Sequence, residues 1–283
     1  MRVGLKLDVD FDRSEVYRRL FGGRDVLSCL GELGVEAVEI PLGPSSDLGE
    51  VGDKARRCRE VGLHVSFHPY SEGHGANPAH FDGPGSPPAV VHQRFLALAA
   101  GLAREQGETI VNIHLAAAAN RVSRRELVER SVQFFSWARS LCADHAPDVR
   151  PVAELQVGPG GGERLIRVGD SPGELAHVVE GSGVAACWDV GHAVWNHRRF
   201  GTPQDPPKDL WKRIGHVHCH DVDKVDHRVL CPGDAHWQRF LQMLSGTGFA
   251  GTVVVEVAPQ TFLDAGGLRA VEESIAAVSE AVR

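Results

Sequence analysis

The chain has 283 residues, of which 42% are hydrophobic and 24% are charged, and its formal net charge is −7. This composition is typical of a globular chain that is long enough for one large α/β barrel or two ordinary domains. The net negative charge argues against a nucleic-acid partner, because phosphate backbones are bound by clustered lysine and arginine, and without an apolar run of about 18 residues no membrane span is predicted.

The cysteines are scattered along the chain and form no CxxC pair. In a chain of this length that pattern predicts reduced, mostly buried thiols. The N-terminal sequence MRVGLKLDVDFD reads as a strand followed by acidic residues, and it lacks the apolar core of a signal peptide. We therefore expect a cytoplasmic protein.

Short apolar segments alternate with amphipathic stretches along the chain. The apolar segments are rich in valine and isoleucine, as buried parallel strands are, and glycine follows several of the amphipathic stretches, as it often follows a helix. The predicted strands are 2–7, 36–40, 63–68, 109–114, 151–155, 184–189, 214–219 and 252–257. The predicted helices include 47–61, 90–106, 123–145, 171–179, 236–245 and 267–282.

Eight strands with helical stretches between them predict an α/β fold, a closed (β/α)8 TIM barrel with parallel strands. No linker interrupts the alternation, so we expect residues 1–283 to form a single domain. In such a barrel the loops that follow the strands meet at the C-terminal mouth. The segments richest in glycine and proline all follow predicted strands: 69–88, 157–163, 197–208 and 220–235.

Candidate metal ligands stand at the ends of the last four predicted strands. They are Glu154, Asp189, His218 and Glu256, here called the strand-end ligands. Carboxylates that follow apolar residues are costly to bury unless they are paired or bind a metal. Any one of them could be a salt-bridged or solvated loop carboxylate, but four at matching positions predict a shared site. Three carboxylates and one imidazole suit Mn²⁺ or Zn²⁺, and also Co²⁺, Mg²⁺ or Fe²⁺.

Two histidines end the third and fourth predicted strands in the same way. His68 and His114 are candidates for a second ion that shares Glu154 as a bridging carboxylate; the alternative is that they line the mouth and contact substrate. His192 and His227 follow the sixth and seventh strands, and each is a candidate substrate contact or a ligand of a further ion. We therefore predict one or two ions.

Other polar residues near the predicted mouth are candidates for supporting roles. His216, one layer below the strand end, is expected to be a core histidine. Asp221 is a candidate to orient a ligating imidazole or to contact substrate. Lys224 and Lys6 are candidates to hold a substrate oxygen, although a solvated lysine is equally consistent for Lys224. The glycine run in 157–163 could present backbone N–H groups to a phosphate, but plain loop flexibility is favoured.

Three motifs carry a resemblance to a known family. They are WDVGH at 188–192, HVHCHD at 216–221 and PGDAHW at 232–237. The set resembles the xylose-isomerase-like barrel superfamily, which holds sugar and sugar-phosphate isomerases and epimerases together with endonuclease IV. PGDAHW looks like a degraded form of the superfamily's Gly-x-Gly-x-Ile-Asp-Trp turn. The resemblance covers almost the whole chain, from VEAVEI to VVVEVAP.

The two branches of this superfamily imply different site assignments. The epimerase branch implies one catalytic ion on the strand-end ligands, with His192 contacting substrate and Lys224 standing where an arginine often does. The endonuclease branch would add a second ion on His68 and His114, and a third on His192 and His227. It expects Asp-x-His before the turn, whereas this chain has Asp-His without a spacer at 226–227.

The isomerase or epimerase interpretation predicts proton transfer next to a carbonyl group. The ion would polarise the carbonyl of a sugar, sugar phosphate or keto-polyol and acidify the adjacent C–H. Glu154 and Glu256 would exchange the proton as base and acid through a metal-stabilised enediolate. Loss of water from the same enediolate would make the protein a dehydratase or lyase, and the residues alone leave that choice open.

Two further classes are consistent with the same residues. A metal phosphodiesterase like endonuclease IV needs a basic rim, but PLGPSSDLGEV after the second strand contains no arginine, which argues against this reading. Histidine-rich carboxylate sites also suit Fe²⁺, so a di-iron oxygenase is an alternative. A non-catalytic binding module would be expected to lose the acidic groups at the mouth. The sequence favours an enzyme with a small-molecule substrate, and the superfamily implies a homodimer.

Overall fold

The computed structural model describes residues 1–70, 75–119, 122–159, 165–231 and 235–282. Within these ranges, eight parallel strands form a closed barrel in the order β1-β10-β9-β8-β6-β4-β3-β2. The barrel strands are β1 (Arg2–Lys6), β2 (Ala37–Leu42), β3 (His64–Pro69), β4 (Thr109–Ile113), β6 (Val149–Glu154), β8 (Ala185–Asp189), β9 (Ile214–Cys219) and β10 (Thr252–Val255). Two short strands, β5 (Ala117–Ala119) and β7 (Leu165–Arg167), pair antiparallel outside the barrel.

Helices separate the barrel strands. They are α1 (Glu15–Leu20), α2 (Val26–Glu32), α3 (Leu48–Glu60), α4 (Pro87–Gln106), α5 (Arg124–His145), α6 (Pro172–Ser182), α7 (Val190–Phe200), α8 (Ala235–Ser245), α9 (Pro259–Asp264) and α10 (Leu268–Ala281). Several begin at a side chain that accepts a backbone N–H, including Asp47 before α3, Ser123 before α5 and Ser171 before α6. Helix α6 ends at Gly183, whose left-handed φ of 77° favours glycine.

The predicted (β/α)8 barrel is confirmed, since every predicted strand overlaps an observed barrel strand. The prediction missed the β5–β7 pair, because a run of alanines has little strand propensity. The helices named from the sequence do not include α1, α2, α7 or α9. Helix α7 changes the interpretation of segment 197–208, because residues 197–200 are the last turn of this helix and not part of a loop that follows a strand.

The barrel interior is polar near its C-terminal mouth. Glu39 of β2 pairs in register with Ser66 of β3, and both side chains are buried with Asn112 of β4 and His216 of β9. Buried polar side chains need hydrogen-bond partners, and here they find them across the barrel. The aliphatic and aromatic core lies mainly between the strands and the helices.

Most of the cysteines are buried, as the sequence predicts. Five of the six cysteines are buried and Cys231 is exposed. In the part of the chain that the structure describes, no helix combines the length and the apolar character that crossing a membrane would require.

Candidate metal centre

The strand-end ligands come together at the C-terminal mouth of the barrel, where they form the central cluster. Glu154, Asp189, His218 and Glu256 are each at most 2% exposed. Their ligand atoms all lie within 4.8 Å of one another. The Nδ1 atom of His218 faces all three carboxylates, at 2.6 Å from Glu256 Oε2, 3.7 Å from Asp189 Oδ2 and 3.8 Å from Glu154 Oε1.

One carboxylate oxygen of the central cluster, Glu154 Oε1, is buried without a hydrogen-bond partner among the described residues. Such atoms are rare in folded proteins because each one costs the free energy of its lost hydration. A divalent cation would satisfy it, and three carboxylates with one imidazole are a donor set that such ions accept. The residues therefore fit a metal ion.

Neighbouring imidazoles keep the carboxylates ionised despite their burial. Burial by itself would raise the pKa of Glu154, but the charges of His114, His68 and His218 outweigh it and lower that pKa to about 2. The pKa of Glu256 also lies well below its usual range, where His218 opposes the effect of burial. The two glutamates are therefore ionised, which is the state in which a carboxylate binds a cation.

A second cluster adjoins the central one and consists of His68, His114 and Glu154. His68 Nδ1 lies 2.9 Å from the backbone oxygen of Asn112, which leaves Nε2 facing Glu154 Oε2 at 3.5 Å. His114 Nε2 lies 3.6 Å from the same oxygen. The structure thus brings the predicted second-ion residues together, with Glu154 common to both clusters.

A third cluster consists of Asp189, His192, His220 and His227. His220 Nε2 lies 3.1 Å from Asp189 Oδ1, and the rings of His220 and His227 stack with centroids 4.2 Å apart. His192 Nε2 lies 3.3 Å from Asp226 Oδ2. His227 adopts a left-handed φ of 53°, a conformation that histidine tolerates better than most residues. Because His227 adopts this conformation, Asp226 and His227 both contact the cluster although no residue separates them in the sequence.

The start of α7 positions the third cluster. Asp189 is the N-cap, and its Oδ1 accepts the backbone N–H of His192 at 2.7 Å. His192 Nδ1 lies 2.8 Å from the backbone oxygen of Leu155. Gly191 lies directly against His220, because a Cβ at this position would be 2.0 Å from the ring atom Cε1. Glycine is therefore required for the His220 ring to pack here.

Glu39 is a buried member of the site that the sequence analysis missed. Its carboxylate accepts hydrogen bonds from His218 Nε2 at 2.6 Å, His216 Nε2 at 2.8 Å and Ser66 Oγ at 3.1 Å. His216 is fully buried, as expected for a core histidine. Glu39 stands inside the apolar strand segment VEAVEI, and a carboxylate in such a segment is a signal of a buried polar site. Its hydrogen-bond partners across the barrel could not be identified from the sequence.

Two predicted site residues are not members of the three clusters. Asp221 Oδ1 accepts the adjacent backbone N–H of Val222 at 2.7 Å, and Asp221 is not among the described residues that line the cavity. The carbonyl oxygen of Asp221, rather than its side chain, approaches His220 Nδ1 at 3.2 Å. Lys224 is exposed and is not among the described residues that line the cavity above the metal cluster.

A cavity of about 370 Å³ opens above the clusters. Lys6 forms part of its wall, with Nζ at 3.7 Å from Glu256 Oε1 and at 5.3 Å from the ring centre of Tyr70. Burial opposes the charge of Lys6, but Glu256 outweighs it and raises the lysine pKa. The cavity is lined by Lys6, His68, Tyr70, His114, Glu154, Gln156, Val157, Arg167, His192, His227, Glu256 and Ala258.

Arg167 of β7 contributes to the wall of this cavity. Gln156 connects the β5–β7 pair to the barrel, since its Nε2 donates to the backbone oxygens of Leu115 and Val168. Part of the glycine run, 160–163, and the start of PGDAHW, 232–234, lie outside the described residues.

The sequence matches the xylose isomerase-like TIM barrel family over residues 30–280. No curated protein sequence matches the chain significantly. Among solved structures, a D-psicose 3-epimerase from Clostridium cellulolyticum H10 is similar with a TM-score of 0.66 at 12% identity, covering 100% of this chain and 98% of that one. The 3-keto-D-glucoside 4-epimerase YcjR from E. coli has a TM-score of 0.64 at 12% identity, with 99% of each chain covered. A family 2 AP endonuclease from Brucella melitensis has a TM-score of 0.66 at 15% identity, with 99% of each chain covered.

Proposed function

Because the chain belongs to the xylose isomerase-like TIM barrel family, we propose that it is a metal-dependent isomerase or epimerase of a sugar, sugar phosphate or keto-polyol. The observation that carries the proposal is the central cluster of four buried ligands directly below a cavity of small-molecule size. The structurally similar epimerases support the choice of substrate class.

The strand-end ligands would hold the catalytic ion, for which Mn²⁺ or Zn²⁺ is preferred, while Co²⁺, Mg²⁺ and Fe²⁺ also suit the donors. When bound, the ion would supply Lewis acidity that polarises a substrate carbonyl and acidifies the adjacent C–H. His68 and His114 would hold a second ion together with Glu154. The proposal therefore includes one or two ions.

Glu256 and Glu154 are proposed as the acid–base pair. Both line the cavity, and they approach His218 Nδ1 from different strands of the barrel. One carboxylate would take the proton from the carbon next to the carbonyl, and the other would return a proton. Return to the opposite face of the same carbon gives an epimer, whereas return to the neighbouring carbon interconverts an aldose and a ketose.

Residues of the cavity wall are proposed to hold the substrate oxygens. His192 and His227 line the cavity, as do Lys6 and Tyr70. Burial raises the pKa of Tyr70 to about 12, so its phenol keeps the proton that it can donate to a substrate oxygen. Lys6 supplies a cation on the same side of the cavity, a position that Lys224 does not have.

Solvent exchange tests this proposal without knowledge of the exact substrate. The Mn²⁺-loaded protein would be incubated in D₂O with a panel of free and phosphorylated ketoses and keto-polyols. Proton NMR should show deuterium entering the carbon next to the carbonyl of at least one compound, together with its epimer or isomer. Chelated protein provides the control. Absence of exchange across the panel, with metal demonstrably bound, would refute the proposal, whereas a product that has lost water would indicate a dehydratase.

Phosphodiester hydrolysis is a second candidate because the three clusters adjoin one another. Glu154 belongs to the first two clusters and Asp189 to the central and third, an arrangement that suits several ions held side by side. The similarity to the family 2 AP endonuclease points the same way, but the net charge of −7 does not favour a DNA substrate. Incision of a duplex that contains an abasic site would favour this alternative. Iron content with O₂ consumption would instead favour a di-iron oxygenase.

A further inference from the structure

Glu39 lies beneath the central cluster and crosses the barrel interior. It is 1% exposed, and β2, which carries it, is separated from β9 by β1 and β10 in the strand order. Its Oε1 accepts from His218 Nε2, while its Oε2 accepts from His216 Nε2 and Ser66 Oγ. Both carboxylate oxygens of Glu39 therefore have hydrogen-bond partners.

Glu39 contacts both histidines at short range. Its oxygens lie 2.6 Å from His218 Nε2 and 2.8 Å from His216 Nε2, which is the length of charge-assisted hydrogen bonds.

The hydrogen bond from His218 to Glu39 decides which ring nitrogen faces the metal cluster. His218 Nε2 faces Glu39 and Nδ1 faces the carboxylates of Glu154 and Glu256, so a proton held on Nε2 by Glu39 leaves the Nδ1 lone pair directed at the cluster. A carboxylate behind a ligating histidine fixes its tautomer and ring orientation and increases its basicity. Ser66 and His216 in turn hold Glu39 in place.

We propose that Glu39 is a positioning residue that acts through His218 and makes its Nδ1 a ligand of the central ion. This inference rests on the metal dependence in the proposed function. Glu39 does not line the cavity, so its effect should appear in metal binding and not only in turnover. Asp221, the candidate for this role from the sequence, has one carboxylate oxygen that accepts the adjacent backbone N–H of Val222.

Substitution of Glu39→Gln tests the assignment with Co²⁺ as the probe. The amide keeps the size of the side chain, but its nitrogen cannot accept a hydrogen bond from an imidazole. Visible absorption during Co²⁺ titration of metal-free protein gives the dissociation constant and the ligand-field bands. We expect roughly 10–100-fold weaker binding and shifted bands, with an unchanged circular-dichroism spectrum.

Glu36→Gln is the matched control, because it makes the same change three residues earlier, where the carboxylate accepts the backbone N–H of Val3 at 3.1 Å. It should leave the Co²⁺ affinity and the bands unchanged. His216→Gln distinguishes an effect that passes through His218 from a general disturbance of the buried site. It removes the second histidine and leaves the hydrogen bond between Glu39 and His218. Binding close to that of the wild type is expected for this variant.

The outcomes separate the positioning role from the proposed function. Wild-type affinity and bands in Glu39→Gln would overturn the role of Glu39 alone. A loss in His216→Gln as large as that in Glu39→Gln would also overturn it, because the effect would not pass through His218. Should Glu39→Gln not fold, Glu39→Asp keeps the charge on a shorter side chain, and unchanged Co²⁺ binding would count against the proposal. Failure of the wild type to bind Co²⁺, Mn²⁺ or Zn²⁺ would remove the proposed function and Glu39's role with it.

Discussion

Glu256 presents its two carboxylate oxygens to different surroundings. Oε2 contacts His218 Nδ1 at 2.6 Å within the central cluster, whereas Oε1 lies 3.7 Å from Lys6 Nζ in the cavity wall. One oxygen is therefore directed to the candidate ion and the other to the space where a substrate would lie. This division is the geometric reason for assigning the residue both a ligand and an acid–base role.

Replacing Glu256 with glutamine should separate these two roles. The variant is expected to fold, to keep part of its metal and to lose at least about a hundredfold in turnover, the usual scale for loss of a general acid or base. Deuterium exchange into the substrate measures the turnover, and elemental analysis measures the metal. Glu273→Gln, on the exposed face of α10, controls for the charge change. Undiminished exchange in Glu256→Gln would remove Glu256 from the chemistry.

Gly191 and Gly173 offer a matched pair of substitutions, since each is the second residue of a helix. A Cβ at Gly191 would overlap the His220 ring, whereas a Cβ at Gly173 would meet nothing within 4 Å. Gly191→Ala should lower the free energy of unfolding by about 1–3 kcal/mol through overpacking. Gly173→Ala should be neutral or stabilising by up to about 1 kcal/mol. Urea unfolding measures both, and equal stabilities would contradict the required close approach at Gly191.

At the residue scale, positions at strand ends could be predicted but contacts across the barrel could not. Glu154, Asp189, His218 and Glu256 could be identified as a set because a strand end is visible in the apolar pattern. The partner of Glu39 depends on how the strands are staggered around the closed barrel, which no local pattern reveals. For the same reason His220 was not assigned to the third cluster from the sequence.

Helix α7 begins directly at the end of β8, so one carboxylate serves two elements. Asp189 ends the strand, caps the helix and belongs to two candidate metal clusters. The helix was missed in the sequence because Gly191 weakens its first turn and because the Gly/Pro-rich segment 197–208 indicates a loop. The structure shows that the chain can form a helix there, with Gly191 needed for packing.

Helix α4 contributes a buried neutral histidine at its contact with α5. His92 is fully buried, its Nε2 lies 2.9 Å from the backbone oxygen of Ala76, and its ring packs edge-on against Phe134 with centroids 4.9 Å apart. Burial lowers the pKa of His92 to about 4 and outweighs the opposing effect of the hydrogen bond to Ala76. The folded protein therefore resists protonation at a position where the unfolded chain, with a pKa near 6.5, does not.

His92 should make stability sensitive to acid. Because its folded-state pKa is depressed, its stabilising effect is complete above about pH 6.5 and is lost as the pH falls toward about 4, by up to about 3 kcal/mol. Urea unfolding of wild type and His92→Gln at several pH values should show the stability difference moving in favour of the variant as the pH falls. His145→Gln, an exposed change on α5, controls for the loss of a histidine. A constant difference from pH 7 to 4.5 would contradict the prediction.

The whole molecule concentrates negative charge at one end of its barrel. Glu39, Glu154, Asp189 and Glu256 are all nearly fully buried there, and their mutual repulsion is offset in the structure mainly by imidazoles. A bound cation should add to this compensation, because burying a charge is costly unless an opposite charge is close. Metal is therefore expected to stabilise the fold as well as to support activity.

Removal of metal should lower the melting temperature. A ligand that binds only the folded state at about 100 times its dissociation constant stabilises it by about 2.7 kcal/mol, or roughly 5–10 °C in a chain of this size. Thermal unfolding of chelated protein with and without added Mn²⁺ or Zn²⁺ measures the shift. Glu154→Gln, which removes a ligand from two clusters, should reduce the shift more than His114→Ala. An identical melting temperature with and without either ion would contradict the metal assignment.

The architecture of the whole molecule could be predicted best from the sequence, because it follows from the periodic alternation of strands and helices. The eight barrel strands were predicted from that alternation, and the closed barrel is confirmed. The β5–β7 pair was not predictable, since its strands are three residues each and one is entirely alanine. Such short strands depend on tertiary contacts, including those of Gln156, rather than on local preference. The assignment of the whole chain to a single domain remains a prediction.

Glu154 and Asp189 each belong to two clusters. The outer histidines can therefore be replaced one cluster at a time, whereas these two carboxylates cannot. A descendant of this chain could gain or lose an outer cation by exchanging histidines alone, because His68, His114 and His227 are members of the flanking clusters only. An exchange at either common carboxylate would dismantle two neighbouring sites in one step. Related proteins that bind different numbers of ions should therefore differ at the histidine positions and share the carboxylates.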